Sequence, residues 1–519
     1  MAAYQSEVNT LRNTFGTNKT KSIKWRKWQL KQIWWMVEDN EQRFVDALTK
    51  DLGRHPYESV AFEIRSMKAD VVRGLEKVEE WSRGHAPEGA GFIFGTLGKA
   101  WLRKEPLGVV LVIGAFNFPL FTLWGPVIGA IIAGNAVVLK PSELCPATSD
   151  LIAELVPKYM DDSAIKVVTG GAKETGQLLE LKWDSIFYTG GSKVARIVSA
   201  AAAKNLTPVT LELGGQDPVI VGKSANIDIT AKRIANAKFV NAGQVCVNVN
   251  HIFCDPSVYD KLIERLIYWN KEFTKTEGSL ASIVNDRHFD RVSALLKGTS
   301  GDVVYGGTSD KSKRYIHPTI VKDVKIDDSL LTEEIFGPIA PVLAYKVDDA
   351  IKVINSMPHA LALYIFSEDK AEIKKILDST QSGGVTVNDI MLHMAVPGAP
   401  FGGVGESGHG AQNGKYTFEA FTHTRTVLTM PAWLDKALSF RYPPFDLKNA
   451  AGFGAVKGGK LIGKRGETME DQKVGGVNLT STLGKIFFVT ALLAGLDRAS
   501  GGKLHLTETV RGIVSRIKG

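Results

Sequence analysis

From about residue 20 to 90, apolar residues recur at three- and four-residue spacing. That period predicts helices, among them Trp25–Asp39 and Asn40–Asp51, with Gly53 after a charged last turn. Beyond Pro106 the pattern changes. Val109–Ile113 is a short continuous aliphatic run, the mark of a strand buried on both faces. An apolar helical stretch, Phe121–Ala133, is closed by Gly134-Asn135, and a second short strand covers Ala136–Leu139. The alternation then repeats as helix Ser149–Tyr159, strand Ile165–Val168, helix Lys173–Glu180, strand Ile186–Tyr188 and helix Lys193–Ala203. Such alternation predicts an α/β fold with a doubly wound parallel sheet, helices covering both faces.

A second alternating block is expected from near Val209 to about Ile390. It holds the strands Pro218–Val221, His251–Asp255 and Gly384–Asp389 and the helices Ile229–Val240 and Val258–Phe273. PGAPFGGVGESGHG (Pro397–Gly410) is a loop by composition. Gly and Lys crowd Ala451–Gly476, which reads as a linker. Ile486–Leu496 is an apolar run of eleven residues. As a helix it spans roughly 16 Å at 1.5 Å per residue, where a membrane-crossing helix needs about 20 residues. The run therefore reads as a docking helix on the protein or, with its basic neighbours, as an interfacial anchor on a membrane surface.

The chain has 519 residues, 44% hydrophobic and 23% charged, which excludes wholesale disorder and leaves room for two or three domains. Its net charge of +8 is concentrated: residues 451–519 carry +6 and the other 450 only +2. A basic footprint for nucleic acid is not expected on the body. Three cysteines make no disulfide framework, no CxxC pair suggests a zinc site, and no metal site is expected. Few cysteines favour a reducing compartment, no cleavable signal is visible at the start, and a cytoplasmic location is expected.

Cys145 (SELCPATSD) and Cys254 (HIFCD) read as buried small hydrophobes. Cys246 follows Asn241-Ala-Gly-Gln-Val, a turn-forming segment from which a side chain can project; taken alone a loop cysteine reads as inert, and with catalytic partners it is the candidate nucleophile. Glu212 ends the apolar run VTLE before two glycines, where parallel sheets place ligands. Taken alone it reads as a solvated strand-end carboxylate. Asn117 in GAFNFP reads as a turn asparagine, or as an amide able to donate to a developing oxyanion. Neither residue decides its role alone.

Six segments together resemble the aldehyde dehydrogenase superfamily: AFNFP (Ala115–Pro119), VVLKPSE (Val137–Glu143), LELGG (Leu211–Gly215), GQVC (Gly243–Cys246), EEIFGP (Glu333–Pro338) and PFGGVGESGHG (Pro400–Gly410). FYTGGSKVARIV and the THTR of Thr422–Arg425 are most similar to the class 3 and fatty-aldehyde branch. The resemblance implies a Rossmann-like cofactor domain (1–84 and 107–209), a catalytic domain (210–395), an oligomerisation arm (85–106 and 396–428) and a C-terminal extension (429–519). It implies Cys246 as nucleophile, Glu212 as general base and Asn117 as oxyanion donor. It further implies cofactor contacts from Lys140, Glu143, Gly190, Gly191, Ser192, Glu334 and Phe336.

The implied activity is NAD(P)-dependent oxidation of an apolar aldehyde, medium- to long-chain or aromatic, to its acid through a cysteine thiohemiacetal and thioester. NAD is favoured over NADP because Glu143 would repel a 2′-phosphate. A homodimer is implied, and the tail allows peripheral contact with the cytosolic face of an intracellular membrane. Two alternatives stand beside this: a CoA-acylating relative, and a catalytically silent membrane-associated scaffold.

Overall fold

The computed structural model describes residues 4–276, 278–436 and 438–453. Ile486–Leu496, most of the Gly/Lys-rich stretch and hence the membrane-or-docking question lie outside the described residues. The chain divides into two compact units, Met1–Met430 and Pro431–Gly519. In the second, the described part consists of short 3₁₀ turns, Ala432–Asp435, Ser439–Arg441 and Leu447–Phe453.

The first unit is built on two sheets. In spatial order the first runs 408–409, 209–212, 185–189, 109–113, 136–140, 165–167, with every pair parallel except the outermost two-residue strand. Period-two geometry divides the aliphatic strands between two cores. Val110, Val112, Val137, Leu139 and Phe187 face the helices Ile23–Asp39, Glu41–Leu52, Arg65–Arg83, Phe121–Ala133 and Pro146–Tyr159. Val109, Leu111, Ile113, Val138 and Ile186 face Gln5–Gly16, Ala172–Leu179 and Ser192–Ala203. Each of these buried aliphatic side chains contributes about 1.5–3 kcal/mol of transfer free energy. Ser22 caps Ile23–Asp39 by accepting from the Trp25 N–H, and left-handed Gly53 ends Glu41–Leu52.

The second sheet runs 384–387, 362–366, 218–221, 251–254, 339–344, 319–322, 302–305, parallel except at its last strand. Val219, Val221, Ile252 and Cys254 pack toward Ile227–Phe239 and Tyr259–Phe273. Ile220 and Phe253 pack on the opposite face, toward Asp286–Gly298 and Val347–Ser356.

Two sequence expectations are corrected here. The second block begins at Pro218, not near Val209, because Val209–Glu212 pairs in parallel with Ile186–Thr189 and extends the first sheet. A four-residue apolar strand carries no signal of which sheet it joins; long-range pairing decides. The glycine-rich loop also holds a short strand, Gly408–His409, antiparallel to Leu211–Glu212. Trp101–Pro106 pairs antiparallel with Thr422–Val427, forming a two-stranded ribbon from segments more than three hundred residues apart.

Candidate active site

The strand order of the first sheet reverses direction between 109–113 and 185–189, and chain segments diverge there at the carboxyl ends of the strands. That crevice is where parallel sheets bind ligands. Asn117 follows Val109–Ile113, Lys140 ends its strand, Gly190 and Gly191 follow Ser185–Thr189, and Glu212 is the last residue of its own. The second sheet contributes from the opposite ends of its strands: Cys246 precedes His251–Cys254, and Glu334 and Phe336 precede Ile339–Ala344.

Cys246 sits on irregular backbone. Asn241, Ala242 and Gly243 are all left-handed, with φ of 50°, 52° and 76°, and they turn the chain sharply after helix Ile227–Phe239. A Cβ on Gly243 would overlap the carbonyl of Gly337, so the turn needs glycine for both its φ and its close approach. Gly243→Ala is expected to lower stability by about 1–3 kcal/mol, as overpacking does. A shift in the urea midpoint, with loss of activity, checks it.

Burial raises the Cys246 thiol pKa, and the carboxylates of Glu334, Asp217 and Glu212 raise it further. The group therefore rests as a thiol. Cys145 and Cys254 are fully buried; the Cys145 thiol donates to the Phe116 carbonyl at 3.2 Å, and burial pushes Cys254 up to about 12.

Glu212 is 3% exposed, and neither of its oxygens has a hydrogen-bond partner. Burial pushes its carboxyl well above the ordinary carboxylate range. Its register partner Thr189 also has an unpartnered buried hydroxyl. Orphaned polar atoms of this kind are costly unless a ligand or water completes them. Asn117 donates from Nδ2 to the Gln244 carbonyl at 3.2 Å, which ties its loop to the cysteine loop and leaves its second N–H uncommitted to that bond.

Lys140 Nζ pairs with Glu143 at 2.6 Å, the ammonium buried and the carboxylate half-exposed. Gly191 starts helix Ser192–Ala203 without a side-chain cap, so first-turn N–H groups are open to an anion. Tyr188 donates to the Gly191 carbonyl at 3.3 Å; burial pushes its phenol up to about 12. Glu334 lies against Gly214, where a Cβ would overlap its carboxylate. Burial raises Glu334 to about 8, opposed by the Gly215 N–H and by Arg291 and Lys238. Phe336, at φ 48°, packs edge-on to Phe116 at 5.8 Å.

Sequence reasoning missed two charged neighbours. Asp217, fully buried, accepts from the Ala362 N–H at 2.8 Å, and burial raises its pKa well above normal. Lys238 is buried inside helix Ile227–Phe239, and desolvation lowers it to about 7 against the pull of Glu334 and Asp217. Asp217 stands two residues beyond LELGG and could have been flagged. Nothing local distinguishes Lys238 from a solvated helix lysine.

A family model for "Aldehyde dehydrogenase family" matches residues 2–427. The chain belongs to the aldehyde dehydrogenase family. It is 42% identical over 453 residues to the rat "Aldehyde dehydrogenase, dimeric NADP-preferring", covering 86% of this chain and 99% of that one. It is 38% identical over 451 residues to rat "Aldehyde dehydrogenase family 3 member A2", covering 85% and 91%. Among solved structures, a substrate-bound Staphylococcus aureus AldH aligns with a TM-score of 0.81 at 38% identity, over 83% of this chain and 95% of that one. This aldehyde dehydrogenase thus falls with class 3 relatives, the branch its motifs resemble.

Proposed function

We propose that this protein oxidises apolar aldehydes, medium- to long-chain or aromatic, to carboxylic acids, with Cys246 as nucleophile, Glu212 as base and Asn117 as oxyanion donor. The observation that carries the reading is Glu212: a buried carboxyl with both oxygens unpartnered, close enough to the thiol to act on its charge. A purely structural carboxyl at that depth would have hydrogen-bond partners.

The cofactor is NAD(P). Gly190, Gly191 and Ser192 would receive a phosphate at an open helix start, while Lys140 and Glu143 would meet ribose hydroxyls. Glu334 and Phe336 would hold the nicotinamide end. When bound, that ring takes up the hydride which the aldehyde carbon loses. Glu143 disfavours a 2′-phosphate and Lys140 beside it favours one; one relative is named NADP-preferring.

The rest falls to the chain's own groups. Cys246, once ionised with its proton passing to solvent, adds as thiolate to the aldehyde carbon. Asn117 Nδ2 and the Cys246 backbone N–H donate to the resulting oxyanion, a donor typically being worth about 3 kcal/mol. After oxidation to the thioester, Glu212 removes a proton from the attacking water, and Cys246 departs as thiolate.

The hydrophobic cluster against which Cys246 packs suits an apolar substrate. Phe118, Val240, Met391 and Met394 are partly buried in the same cluster as Cys246, and thioethers adapt to varied chains. The reading includes a homodimer, in line with the relative named dimeric, and a reducing cytoplasmic compartment, in line with three free cysteines. No helix among the described residues is long and apolar enough to cross a membrane.

A kcat/KM series from propanal to hexadecanal with NAD tests the substrate class. The expected profile rises by about tenfold or more from three to ten carbons, at about 0.8 kcal/mol per buried methylene until the pocket is filled. A flat profile would refute an apolar pocket. Acyl-CoA as product in the presence of CoA would replace the hydrolytic reading.

A further inference from the structure

Arg54 is completely buried, and its guanidinium joins segments distant in sequence. One terminal nitrogen pairs with Glu63 and the other donates to the backbone carbonyl of Asn117. Its Nε donates to Asn241 Oδ1 at 3.3 Å, with Glu58 at 3.9 Å. The guanidinium carbon lies 4.7 Å from the centre of the Phe118 ring.

The partners extend the network in two directions. Glu63 accepts from the backbone N–H groups of Leu120 at 2.7 Å and Phe121 at 3.2 Å, holding the start of helix Phe121–Ala133. Asn241 Nδ2 donates to the Asn117 carbonyl at 2.9 Å and to the Gln244 carbonyl at 3.0 Å. The Asn241 N–H itself donates to Glu58 at 3.1 Å. Asn117 is therefore gripped at its carbonyl by two donors, while its side chain bonds the loop that carries Cys246.

A buried ion pair is a poor device for stability alone, because an apolar replacement of similar volume often does as well. What an apolar replacement cannot do is aim a planar fork of donors at a carboxylate, a carbonyl and an amide at once. We propose that Arg54 is a positioning residue for the oxyanion site: through Asn117 and Asn241 it sets the spacing between the oxyanion donor and the Cys246 loop, with Glu63 as its counter-ion. The inference rests on the roles proposed for Asn117 and Cys246. Those roles need only the two residues; this one concerns what holds them in register.

Arg54→Lys keeps the charge but replaces the fork with a point donor. In decanal oxidation with NAD, kcat per active site, counted by the NADH burst, is expected to fall about 30-fold or more. The KM for NAD should stay within about twofold and the melting temperature within a few degrees, a split that reports lost transition-state contact. Asn117→Ala should lower kcat by a similar factor. The double variant should lose no more than about threefold beyond Asn117→Ala alone, since both changes remove one donor.

Losses that multiply, or a normal kcat in Arg54→Lys beside an impaired Asn117→Ala, would overturn the clamp and leave the oxyanion assignment standing. An unimpaired Asn117→Ala would instead overturn that assignment. Should Arg54→Lys not fold, Glu63→Gln carries the test: kcat about fivefold lower or more at unchanged KM for NAD is expected, and an unchanged kcat refutes the proposal.

Discussion

Replacing Cys246 with alanine is expected to reduce aldehyde oxidation by at least about 10⁴-fold, the largest effect of any substitution in the site. The sulfur both forms the covalent bond and leaves from the thioester, so no neighbouring group can stand in for it. Cys145 is buried with its thiol engaged at the Phe116 carbonyl, and Cys254 is fully buried in a central strand. Digestion of enzyme trapped in turnover should map the acyl adduct to Cys246. Residual activity above a few per cent in Cys246→Ala, or an adduct elsewhere, would remove the nucleophile assignment.

The same thiol gives a pH signature. Burial and three carboxylates hold its pKa above the ordinary value, so the reactive thiolate becomes commoner as pH rises. Alkylation of cofactor-free enzyme by iodoacetamide should quicken about tenfold per pH unit between pH 7 and 9 without levelling. A plateau below pH 8 would mean that the thiolate is already formed.

Glu212→Gln is expected to separate the two halves of the reaction. The amide keeps the shape but cannot accept a proton, so hydrolysis of the thioester should slow by about 10²–10³-fold, within the range of general-base catalysis. The first turnover should persist as a burst of NADH near one equivalent per site, followed by slow steady state. The sign of the pH effect follows from burial: a carboxyl pKa raised by desolvation means the base form accumulates only as pH climbs. The wild-type hydrolytic step should therefore accelerate with rising pH, and that limb should vanish in Glu212→Gln. A variant with normal steady state would end the base assignment.

Hydrophobic patterning reproduced the architecture closely where strands are aliphatic on both faces. Val109–Ile113, Phe121–Ala133 and Pro218–Val221 occur at the residues expected, since such runs have no stable place outside a covered sheet or a buried helix. Val209–Glu212 was legible as a strand but not as a member of the first sheet, because a four-residue strand is assigned by its neighbours. The cysteine, the carboxyl and the amide were legible as motifs. Their chemistry was not: the unpartnered oxygens of Glu212 and the raised thiol of Cys246 arise from groups folded around them.

By itself the sequence determined the alternation of helix and strand, the family and the residue types available for a covalent reaction, because periodicity and short motifs are local. Tertiary structure alone decided which charges share the interior. Lys238 was set within electrostatic reach of Glu334 and Asp217, and Arg54 between Glu63, Asn117 and Asn241, from positions with no local mark. The reason is physical: burial strength, orientation and proton affinity depend on what surrounds a group after folding, and those neighbours lie up to 187 residues away along the chain.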